Sequence, residues 1–115
     1  MHELGIMMEV IDTVESRLEE ESSCRVTRIV LQIGELSSVI PVYIEECYPA
    51  AVLGSSLENA ELQIETIRAT ARCKSCNELF DLIPSKGICP ACGCKELEPV
   101  QGREFLIKEI AIEEV

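Results

Sequence analysis

A paired thiol array constrains this chain more than any other feature: Cys73-Lys74-Ser75-Cys76, then twelve residues, then Cys89-Pro90-Ala91-Cys92. Two residues between cysteines let both sulfurs of a pair face one ion from a tight turn. Two such knuckles complete a tetrahedron, the geometry that Zn2+ accepts from four sulfurs. Gly93 supplies the backbone freedom needed at the end of the second turn. The stretch 73–100 is too small to hold itself together by burial, whereas a structural zinc supplies on the order of 10–16 kcal/mol, realised as folding. Four thiolates leave no open position on the ion, so the zinc reads as structural and not catalytic. Spacing alone does not separate zinc from iron in the same tetrathiolate set. A redox dithiol, the other use of C-x-x-C, gains nothing from a second knuckle.

The chain has seven cysteines, an odd number that sits badly with complete disulfide pairing. Cys94 reads as a spare thiol beside the array, with competition as a fourth ligand as its alternative. Cys24 and Cys47 lack metal-type spacing and read as small buried hydrophobes.

Around this lobe the hydrophobic period assigns an α+β body. Leu4, Met7, Met8, Ile11, Val14 and Leu18 recur at three- and four-residue steps, which predicts a helix from Leu4 to Glu20 with both methionines as core filling. From Arg25 to Ile33 the period changes to two and predicts a strand. Pro41 suits the first turn of a second helix over Val42–Leu53, which Pro49 should kink or split. A second strand over Ala60–Ala71 shifts its inward set at Ile67, implying a bulge or two-sided burial. A third follows over Arg103–Glu113. Five of the seven cysteines lie between those last two strands.

Charge narrows the partners. The net charge is −11. Lys74, Lys86 and Lys95 nearly balance Glu78, Asp81, Glu96 and Glu98 within 73–100, so the acidity belongs to the rest of the chain. An acidic chain with only Tyr43, Tyr48, Phe80 and Phe105 as aromatics repels phosphate backbones and offers few stacking platforms. Nucleic acid and anionic membranes are poor partners on this account. No apolar run approaches the ~20 residues that cross a bilayer, and the start lacks a signal peptide's basic and apolar regions. The expected location is the cytoplasm.

His2 is the only histidine. A multi-histidine catalytic site is thereby excluded, and His2-Glu3 does not begin H-E-x-x-H because Ile6 holds the last position. No nucleophile elbow, P-loop or dinucleotide fingerprint occurs, so no enzyme is expected. A free Met1 amine, the His2 amide nitrogen and the His2 imidazole form adjacent chelate rings of the kind Ni2+ and Cu2+ favour. By chemistry alone, the plainer reading of His2 is an exposed terminal residue.

Met1-His2-Glu3-Leu4, Gly34-Glu35-Leu36-Ser37, the double C-x-x-C array with Cys89-Pro90-Ala91-Cys92-Gly93 and Gly102-Arg103-Glu104-Phe105 together resemble the HypA/HybF hydrogenase-maturation nickel metallochaperones, in order and interval over nearly the whole chain. The resemblance implies two helices on a three-stranded sheet with an inserted zinc-ribbon lobe. Residues 1–72, completed by strand 101–115, would form the nickel-binding domain, and 73–100 the zinc ribbon. It further implies that His2 holds Ni2+, helped by main-chain nitrogens near Met1 and by Glu3, and that Cys73, Cys76, Cys89 and Cys92 hold Zn2+. Nickel would pass to [NiFe]-hydrogenase, and in some organisms urease, with the GTPase HypB and the hydrogenase large subunit as partners. Two rival readings are a zinc-ribbon protein–protein interaction module without nickel handling, and a redox or iron protein. Neither explains Met1-His2-Glu3. A homodimer formed by strand exchange stays open.

Overall fold

The computed structural model describes residues 2–18 and 24–114. The elements run α1 (Glu3–Leu18), β1 (Cys24–Gly34), α2 (Pro41–Val52), β2 (Glu61–Ile67), β3 (Thr70–Cys73), β4 (Leu79–Asp81), α3 (Leu82–Ser85), β5 (Leu97–Gln101) and β6 (Phe105–Glu114). They build two three-stranded sheets, one ordered β2-β1-β6 and the other β4-β3-β5. The fold is α+β, with the four array cysteines gathered on the smaller sheet's lobe.

In the larger sheet β1 is central, parallel to β2 and antiparallel to β6. A parallel neighbour requires a crossover, and α2 provides it between β1 and β2. Ile29, Leu31 and Ile33 alternate along β1 and are fully buried against Met7 and Val14 of α1 and Ile44 and Val52 of α2. The intervening β1 residues face the other way, where Arg28 pairs with Glu109 at 3.1 Å and Gln32 donates to Glu65 at 3.2 Å. Lys108 also reaches Glu65 at 2.9 Å. Exposed pairs of this kind contribute little each, so the helix-covered face carries the stability.

One buried polar contact anchors α2. The Tyr48 hydroxyl donates to the Ala60 carbonyl at 2.8 Å in a buried setting. Tyr48→Phe keeps the ring and strands that carbonyl, and is expected to lower stability by about 1 kcal/mol, read as an earlier urea midpoint with an unchanged slope.

Several sequence expectations are corrected. Leu4 and Met8 are half exposed, and the buried stripe of α1 is Glu3, Met7, Val10, Ile11 and Val14. That stripe follows the 3.6-residue period from position 3, leaving Leu4 and Met8 on the flank. The predicted end of this helix near Glu20 lies outside the described residues. Pro49 does not split α2, which is continuous from Pro41 to Val52. The carbonyl it deprives of a partner belongs to Glu45, an exposed residue whose carbonyl water can serve. The single strand expected over 60–71 is two strands in different sheets, and the shift in its inward set marks where the chain leaves one sheet for the other. Cys24 and Cys47 are half-buried and not core residues.

Candidate metal centres

The four array cysteines come together from two loops. Cys73 ends β3, and Cys76 follows in the turn toward β4. Cys89 and Cys92 lie in the segment between α3 and β5. The two knuckles share one backbone plan. Asn77 donates its N–H to the Cys73 carbonyl at 2.9 Å, and Gly93 donates to the Cys89 carbonyl at 2.8 Å. Both donors lie four residues after their first cysteine and adopt left-handed backbone, with φ of 67° at Asn77 and 76° at Gly93. Glycine and asparagine are the residues that enter this region at least cost. The sequence reading singled out Gly93 and missed Asn77, whose signal was its matching offset from the first knuckle.

The ligand atoms of Cys73, Cys76, Cys89 and Cys92 all lie within 4.8 Å of one another. Cys73 and Cys92 sulfurs are 3.5 Å apart, and Cys76 and Cys89 sulfurs 3.6 Å. A tetrahedral ion with metal–sulfur bonds of about 2.3 Å places its sulfurs about 3.8 Å apart, so the cluster is sized for such an ion. Cys73 and Cys89 are buried inside the lobe, and Cys76 and Cys92 face solvent. Main-chain N–H groups of Cys76 and Ser75 point at the Cys73 sulfur and, with the neighbouring thiols, hold its pKa down at about 6. The Glu78 N–H favours the Cys76 thiolate, but desolvation and the surrounding sulfurs outweigh it and push this thiol up to about 12. Packed thiols thus lose their protons in steps, and a cation among them replaces those protons. Cys94 stands outside the cluster. Its carbonyl accepts from the Cys89 N–H at 3.0 Å and its sulfur from the Glu96 N–H at 3.4 Å, so it shapes the second knuckle from behind.

The amino-terminal residues are arranged differently. His2 is exposed, and its carbonyl accepts the Ile6 N–H at 3.1 Å, the first bond of α1. Glu3 is only 6% exposed, and its carboxylate accepts the Ile40 N–H at 3.4 Å. Ile40 is the N-cap position of α2 and has no capping side chain of its own, so Glu3 serves there from another element. Met1 lies outside the described residues. None of the helices among the described residues is long and apolar enough to cross a membrane.

The family described as "HypA: Hydrogenase/urease nickel incorporation, metallochaperone, hypA" matches residues 1–112. The hydrogenase maturation factor HypA of Chlorobium limicola is 38% identical over 114 residues, covering 99% of this chain and 98% of its own. The HypA protein of Nostoc sp. is 39% identical over 115 residues, covering 100% and 98%. Two solution structures share the fold: the Ni metallochaperone HypA from Helicobacter pylori, with TM-score 0.64, 23% identity and 96% of each chain covered, and a HypA protein with TM-score 0.69, 23% identity and coverage of 100% and 97%. Full-length agreement in sequence, together with the clustered thiols, settles the assignment: the chain belongs to the HypA family of hydrogenase and urease nickel-incorporation metallochaperones, which are not enzymes.

Proposed function

We propose that this protein carries Ni2+ at its amino terminus, bound by the His2 imidazole and amide nitrogen with the Met1 amine, and holds a structural Zn2+ on Cys73, Cys76, Cys89 and Cys92. The observation that carries the nickel reading is the placement of His2: exposed, one residue before a helix, in a chain whose family is defined by nickel incorporation. The first amides of a helix have no intrahelical partner, so the His2 nitrogen is free for another role. The positive end of a helix dipole opposes a cation but favours the amidate that forms when this nitrogen loses its proton to bind metal. The balance suits a carrier, which must hold its metal and also release it. With its carboxylate engaged by Ile40, Glu3 supports the site as an anchor of the helix start and through its main chain.

Zinc fits the four thiols because their sulfurs lie within 4.8 Å of one another, close enough to enclose one tetrahedral ion, and its role is to fold the small lobe. The recipients in this reading are the [NiFe]-hydrogenase large subunit, served together with the GTPase HypB, and urease where it is present, all in the cytoplasm.

The test is a calorimetric nickel titration of zinc-loaded, tag-free protein beside its His2→Ala variant, with zinc content measured in both. The expected result is stoichiometric nickel binding that weakens at least tenfold in the variant while zinc stays at one per chain. A tenfold loss corresponds to about 1.4 kcal/mol. Unchanged nickel affinity in His2→Ala would remove His2 from the site.

A further inference from the structure

The two sheets have separate cores. Met7, Ile29, Leu31, Ile33 and Ile44 belong to one, and Ala71, Cys73, Phe80 and Cys89 to the other. The molecule is elongated, 56 × 25 × 17 Å. The lobes meet at a joint where the chain crosses twice, at Arg68–Ala69 and at Gly102–Glu104, and both crossings bind the turn that follows β1.

At the first crossing, Glu35 donates its N–H to the Ile67 carbonyl at 2.9 Å, and its carboxylate accepts the Ala69 N–H at 2.6 Å. At the second, Gly34 donates to the Glu104 carbonyl at 2.8 Å and Leu36 to the Gly102 carbonyl at 2.7 Å. The crossings also touch each other: a Cβ on Gly102 would come within 2.6 Å of Ala69 Cα. Of the bonds that the turn makes to the crossings, only the one from the Glu35 carboxylate comes from a side chain, and it holds the last residue before the small sheet.

We infer that Glu35 is a positioning residue, a pin that locks the four-cysteine lobe to the helix–sheet body so that the two tumble as one rigid unit. The lobe's direction relative to the start of α1 is then fixed at the joint by this carboxylate acting on Ala69, in addition to the backbone bonds of the same turn. A charge-assisted bond to a buried backbone N–H is directional, and removing the acceptor leaves that N–H without a partner. In Glu35→Ala the backbone at this position keeps its own bond to Ile67, but the constraint on Ala69 is lost and the lobe gains freedom about the joint.

The experiment is 15N relaxation on zinc-loaded full-length protein, comparing wild type, Glu35→Ala and Glu35→Gln. In wild type, amides of β1 and α1 and amides of β3 and β5 are expected to fit one rotational diffusion tensor. In Glu35→Ala the lobe should need a separate, shorter correlation time, while body chemical shifts away from the joint stay in place. Glu35→Gln, whose amide oxygen can still accept from Ala69, should return the lobe toward single-body tumbling. Independent lobes in wild type would overturn the inference, as would a single body retained in Glu35→Ala. Global unfolding of Glu35→Ala, seen as collapse of the body's amide dispersion, would also overturn it, because the side chain would then be holding the fold and not the orientation.

Discussion

Cys89→Ser is expected to unfold the small lobe while the helix–sheet body stays folded. Cys89 is 2% exposed and sits in a core whose other fully enclosed members are few: Ala71, Cys73 and Phe80, flanked by Leu82, Cys94 and Leu97. Two of those four core residues are themselves proposed zinc ligands, so the apolar burial left without metal is small. Ordering each residue costs about 1–2 kcal/mol of backbone entropy, which such a core cannot offset over this length of chain. On the proposed zinc assignment, metal binding is therefore the dominant favourable contribution to the lobe, and a serine hydroxyl is a poor replacement for a thiolate. Amide dispersion should be lost for residues 70–101 and kept for α1, α2 and β1, and metal analysis should find well under one zinc per chain. A chelator acting on wild type should reproduce this pattern. Acidification should do so too, because protons compete with the ion for the four thiolates and displace it as pH falls, so the lobe is held at high pH and released at low pH. A dispersed lobe spectrum in metal-free Cys89→Ser would refute the structural role of the metal.

Gly34→Val is expected to be strongly destabilising. An added Cβ at Gly34 would overlap the Gly102 carbonyl and approach Arg103 N at 2.8 Å. These are backbone atoms of the second crossing, tied down by Leu36 and Glu104, so neither can yield as a flexible side chain would. Overpacking costs roughly 1–3 kcal/mol where side chains can adjust, and more is expected where only backbone can move, about 3–4 kcal/mol here. Gly5 provides the contrast. It lies inside α1 with nothing within 4 Å of an added Cβ. Gly5→Ala should stabilise by about 0.5–1 kcal/mol through helix propensity. Urea midpoints of the two variants should therefore move in opposite directions from wild type. Equal midpoints for wild type and Gly34→Val would mean that the end of β1 and the second crossing are not in contact.

Much of the larger sheet was legible because its signals are local. The alternation of Thr27, Ile29, Leu31 and Ile33 marks β1 without knowledge of its neighbours, and Pro41 and Gly54 bracket α2 by backbone chemistry. The thiol array was legible for the same reason, since each knuckle is closed within a few residues. What failed was anything that depends on who packs against whom. Leu4 and Met8 look like core residues in a periodic pattern, yet α1 turns the stripe one position earlier toward the sheet. Glu3 looks like a free acid beside a metal site until the Ile40 N–H is seen to take its carboxylate.

Local patterns of residues were enough to specify the elements of the body and the four thiols that share one centre. Both follow from short-range geometry, the periods of helix and strand and the reach of two C-x-x-C turns. It took the folded chain to establish that the segment at Arg68–Ala69 changes sheets, that Gly34, Ala69 and Gly102 meet backbone to backbone, and that Glu35 binds the residue entering the smaller sheet. Those contacts join residues more than thirty positions apart. No local period encodes them, because a hydrogen bond between distant residues is specified by the path of the whole fold and not by the spacing of its two ends.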